Sequence, residues 1–98
     1  MRLSSREREV IVSVAEKSFG PQTRVVLFGS RTSDLRRGGD IDLLILGPWK
    51  GVDAFQRKIA FLVGLKMTLG DQHIDVVLAP PQDDRPIVRE AIRTGVEL

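Results

Sequence analysis

The 98-residue sequence contains no cysteine, which removes three classes of chemistry at once: a disulfide framework, a thiolate metal site and a cysteine nucleophile. Small secreted domains usually carry cysteines, so nothing here points outside the cell. No apolar run approaches the roughly 18 residues of a membrane span. Residues Met1–Arg6 lead into mixed charge rather than an apolar signal segment, so a cytoplasmic location is the default expectation. An excess of one charge is also missing. Fifteen Lys and Arg against thirteen Asp and Glu give a net +2, too little to argue for a nucleic-acid surface. There is no internal repeat, no low-complexity tract and no linker. The balance of 42% hydrophobic and 29% charged residues is that of a soluble globular chain, expected to form one domain over residues 1–98.

Helix and strand signals alternate along the chain. Ser4 and Glu7 fit a capping box, and Val10, Ile11, Val14 and Ala15 follow at helical spacing until Gly20-Pro21. Arg24–Phe28 and Asp40–Leu46 read as buried strands, separated by the polar, glycine-ended segment 30–39. Val52–Leu69 is the longest helix, His73–Leu78 a third strand, and Pro86–Thr94 a last helix with Asp83 and Asp84 at its positive end. The order predicts an α/β (α+β) domain of three to four strands with helices mainly on one face. In the long helix, Val52, Phe55, Ile59, Leu62 and Val63 form the stripe expected to meet the core. Phe61, adjoined by Leu65 and Leu69, falls nearly opposite. That second apolar side implies either a subunit interface or cover by another helix, the first being the candidate. Trp49 is read as an interface anchor or a lid.

The chemistry concentrates in Asp40-Ile41-Asp42. Side chains alternate along a strand, so the two carboxylates share a face with Cα atoms about 6.5–7 Å apart. They repel, and burial worsens it. Cationic neighbours, protonation of one acid, or a hard cation such as Mg²⁺ would each offset the repulsion. Asp75 lies in the third strand, and one register of that strand brings it level with the pair. Three carboxylates on adjacent strands can hold two divalent ions for phosphoryl transfer, and Asp75 can also act as the base. Gly29-Ser30-Arg31 supplies the complementary half. Glycine permits close backbone approach to a phosphate, and Ser30 and Arg31 offer donors to its oxygens. Singly, Gly-Ser is an ordinary turn and Asp-x-Asp a solvated loop; the combination carries the reading. His73 shares Asp75's face, where it would orient that carboxylate, touch a phosphate or simply be solvated. Arg36 and Arg37 read as an ordinary solvated loop.

On Leu27-Phe28-Gly29-Ser30-Arg31, Asp40-Ile41-Asp42-Leu43-Leu44-Ile45, Ile74-Asp75-Val76-Val77 and the ending Arg89–Leu98, the chain resembles the minimal nucleotidyltransferases of the DNA polymerase β-like nucleotidyltransferase superfamily. Nine residues separate Ser30 from Asp40, one fewer than is common there, which reads as a shortened loop. The resemblance implies a small, mixed, palm-like sheet. It implies Asp40, Asp42 and Asp75 as catalytic ligands of two Mg²⁺ ions, and Gly29 and Ser30 as holders of a nucleoside triphosphate such as ATP. The implied reaction transfers a nucleoside monophosphate to a hydroxyl and releases pyrophosphate.

Larger relatives carry further domains for base and acceptor, so the short chain implies an acceptor supplied by a second copy or another protein. Domains of this type are often paired with a HEPN-domain RNase toxin. The resemblance therefore implies an antitoxin that binds its partner, adds AMP to it, or both. Two other functions remain open: a non-catalytic binding module, and the catalytic subunit of a two-component small-molecule or RNA nucleotidyltransferase.

Overall fold

The computed structural model describes residues 3–21, 23–29, 41–70 and 72–98. The elements run α1 (Ser5–Phe19), β1 (Arg24–Phe28), β2 (Ile41–Leu46), α2 (Gly51–Leu69), β3 (Ile74–Ala79), α3 (Pro86–Thr94) and β4 (Val96–Glu97). The sheet order is β3-β2-β1-β4. β2 is antiparallel to β1 and parallel to β3, and β4 is antiparallel to β1, so the sheet is mixed as expected.

Alternation along the strands sorts the core into two layers. Val25 and Leu27 of β1, and Ile41, Leu43 and Ile45 of β2, pack with Ile11, Ala15 and Phe19 of α1 and Phe61 and Leu65 of α2. On the other face, Val26, Leu44, Leu46 and Ala79 pack with Val88 and Ala91 of α3. Two helices thus cover one face and one covers the other. Each fully buried Leu, Ile or Phe contributes about 1.5–3 kcal/mol through removal from water.

Local signals agree with this packing. Ser4 caps α1 by accepting from the Glu7 N–H at 3.0 Å, and the Glu7 carboxylate accepts from the Ser4 N–H at 3.0 Å. Pro86 opens α3. Gly95 ends it because a side chain there would strike Val26 and the Ala91 and Leu27 carbonyls. This close passage delivers Val96–Glu97 to the free edge of β1, where Arg24 and Glu97 form an ion pair at 2.7 Å. The short β4 had no sequence signal of its own. Asp83 lies just ahead of α3, whose first turn holds no acidic residue, and its carboxylate accepts from the Arg85 backbone and side chain, both at 2.8 Å.

The orientation of α2 corrects the sequence reading. Phe61 and Leu65 are fully buried against α1 and the sheet, while Val52, Phe55, Ile59 and Val63 are exposed. The alternative that the first helix covers the Phe61 side is the one the fold adopts. The physical reason lies at Gly64: a β-carbon there would sit 2.7 Å from Val14 Cγ1, so only glycine lets α1 and α2 approach this closely. Once Gly64 faces α1, Phe61 and Leu65 are carried inward. Trp49 also turns inward: its ring lies 4.8 Å from that of Phe19, which meets Phe61 edge-on at 5.4 Å. No helix among the described residues is long and apolar enough to cross a membrane.

Candidate active site

The strand directions bring three chain segments to one edge of the sheet. The C-terminal end of β1 lies beside the N-terminal ends of β2 and β3. The register places Phe28 opposite Asp42, and Asp42 opposite Asp75, in one row across three strands. Adjacent strands lie about 4.8 Å apart, so Asp42 and Asp75 are immediate neighbours projecting from the same face. That face is the one α3 covers. Along β2, Leu46 and Leu44 are buried beneath α3, and Asp42 stands where the cover ends, half-buried.

Asp75 is more open, its side chain 57% exposed, and His73 Nε2 lies 3.7 Å from Asp75 Oδ1. That distance exceeds a hydrogen bond but suits an ion pair when the imidazole is protonated. His73 therefore does share the Asp75 side, as its spacing predicts. It also anchors the strand ends, since its carbonyl accepts from the Ile41 N–H at 3.0 Å.

Gly29 closes the row. Its φ of +77° lies in the left-handed region that side-chain-bearing residues rarely adopt, and a β-carbon on it would collide with the Asp42 carboxylate. Glycine is thus required twice, once for backbone conformation and once for space. The backbone turn that leaves β1 passes directly against the half-buried acid. Beside it opens a cleft of about 360 Å³ lined by Phe28, Gly29, Ile87, Glu90, Ala91 and Thr94, within the range of small-molecule sites.

Ser30, Arg31 and Asp40, together with Arg36 and Arg37, lie outside the described residues. Of the expected set, the structure brings together Gly29, Asp42 and Asp75. Among the described residues no three acidic or histidine groups converge within metal-binding reach. Asp42 and Asp75 offer carboxylate oxygens of the kind a hard cation prefers, with His73 beside them.

The nucleotidyltransferase domain family matches this chain over residues 8–96, from within α1 to the first residue of β4. The chain belongs to that family. No curated protein matches it. The general chemistry of this nucleotidyltransferase domain is nucleotidyl transfer, and such domains generally use a nucleoside triphosphate and a divalent metal.

Sequence reasoning missed the α3 side of this cleft. Ile87, Glu90, Ala91 and Thr94 recur at helical spacing and so mark one stripe of α3. The end of the sheet that this stripe overhangs depends on how α3 crosses the strands, for which the sequence holds no local signal.

Proposed function

We propose that this domain transfers a nucleoside monophosphate, AMP from ATP, to a hydroxyl on a partner protein. The observation that carries the reading is the row Phe28–Asp42–Asp75 with Gly29 against the Asp42 carboxylate. In this reading Asp40, Asp42 and Asp75 hold Mg²⁺, and Gly29, Ser30 and Arg31 receive the triphosphate. Bound Mg²⁺ would neutralise charge on the attacking and leaving oxygens. Asp75, the more exposed acid, takes the proton of the acceptor hydroxyl. The hydroxyl oxygen bonds to the α-phosphorus, the bond from that phosphorus to the bridging oxygen breaks, and pyrophosphate leaves. Half-burial of Asp42 keeps it oriented, and the open side of Asp75 leaves room for an acceptor.

The resemblance to minimal nucleotidyltransferases supports a biological role as an antitoxin acting in the cytoplasm on a HEPN-type RNase toxin. The test is incubation with α-labelled ATP, Mg²⁺ and the protein encoded beside this one. Label on the partner, lost with Asp42→Asn, is the expected result. Absence of label with every nucleoside triphosphate overturns the enzymatic reading. Neutralisation of the toxin by an inactive Asp42→Asn protein would instead favour a binding module.

A further inference from the structure

Among the described residues nothing covers the outer face of α2. Val52, Phe55, Ile59, Val63 and Met67 recur along it at every third or fourth residue, and all are exposed, from 44% at Ile59 to 83% at Met67. Gln56 and Ala60 lie exposed between them, and Lys66 is the one charged side chain of α2 within that face. The five apolar side chains present on the order of 600 Å², at the upper end of the patches monomers carry, against the ~800 Å² each partner contributes to a standard interface. Gln56, Ala60 and the aliphatic stem of Lys66 bring the face close to that requirement.

The pattern is also complementary to itself. The midpoint of the stripe falls between Ile59 and Ala60. A two-fold axis there, relating antiparallel helices, sets Val52 of one copy against Met67 of the other, Phe55 near Val63, and Ile59 against Ala60. Each pairing joins a larger side chain to a smaller one, as close packing requires. On the wheel Lys66 and Phe55 lie on the same flank, so this axis brings each Lys66 within a turn of the other copy's Phe55 ring, an arrangement suited to a cation–π contact. Asp53 stands off the face, paired with Arg57 at 3.0 Å. Parallel helices would instead set each side chain against its own copy, large on large.

We propose that this face is a homodimer interface in which two copies pack α2 against α2 in antiparallel orientation. α2 covers the sheet face opposite Asp42 and Asp75, so both candidate active sites stay on the outside of the dimer, open to solvent. The dimer stands independently of the reaction proposed above.

Light scattering of the purified full chain is expected to give twice the chain mass. Phe55→Glu and Val63→Glu each place a charge on an exposed position, and are expected to return the mass to that of one chain without loss of helical circular dichroism. A single-chain mass for the unaltered protein up to high micromolar concentration overturns the proposal and leaves the face to a different protein. A dimer that survives both substitutions overturns it as well, by placing the interface elsewhere. The register has its own test, helped by the absence of cysteine. On mild oxidation Ala60→Cys is expected to cross-link to its own copy, whereas Val52→Cys, ~22 Å from its counterpart across an antiparallel pair, is not. Cross-linking through Val52→Cys but not Ala60→Cys would show parallel helices and overturn the arrangement.

Discussion

Gly29 couples the backbone to the chemistry. Alanine there meets two penalties, the left-handed φ of +77° and collision with the Asp42 carboxylate. Gly29→Ala is expected to cost about 1–3 kcal/mol, measured by denaturant unfolding, and to reduce nucleotidyl transfer through displacement of Asp42. Asp42 and Asp75 face each other in register, a proximity the unfolded chain does not impose. Asp42→Asn removes one of the two acids from this row. The same substitution should lower transfer at least ~100-fold, the loss typical of a group that stabilises transition-state charge. Transfer undiminished by Asp42→Asn would remove Asp42 from the reaction. Shared facing follows from a period of two, so the common side of His73 and Asp75 was readable from residues alone. The meeting of Asp42 with Asp75 was readable only as one register among several, because register is set by pairing of the apolar runs after them.

Among the elements, α2 separates pattern from placement. Its apolar residues lie on two sides, so periodicity predicts a helix over 52–69 without choosing its inner face. Gly64 makes the choice by admitting Val14. The contrast between two phenylalanines six residues apart checks this. Phe61→Ala is expected to cost about 3–5 kcal/mol, because it empties a fully buried site touching Phe19. Phe55→Ala, at an exposed position, is expected to change the stability of the isolated chain by less than about 1 kcal/mol. Equal losses would place both rings in the core. The helices at either end were more legible. Capping at Ser4 and Glu7, and the Pro86 boundary, rest on contacts within a few residues, which sequence specifies directly.

At the scale of the whole molecule, the sheet face that carries the acids and the face that carries α2 divide the labour: one opens to a cleft, the other presents an apolar surface. If Mg²⁺ and ATP bind at the acidic row, they bind only the folded state. Saturation at about 100 times the dissociation constant then adds ~2.7 kcal/mol, a rise in melting temperature on the order of 10 °C. Asp42→Asn is expected to lose that rise. A shift unchanged by Asp42→Asn would place the nucleotide elsewhere, with the α3 cleft as the next site to examine.

The sequence by itself determined three helices, three strands and their order, and put forward the residues equipped for charge and phosphate chemistry. These depend on local dihedral preference, alternation and side-chain chemistry, all of which act over a few residues. Tertiary structure alone decided which face of α2 turns inward, that Val96–Glu97 extends the sheet, and that α3 walls a cleft beside Gly29. Each of those outcomes is a contest between surfaces distant in the chain, settled by close approach at Gly64 and Gly95 rather than by any local propensity.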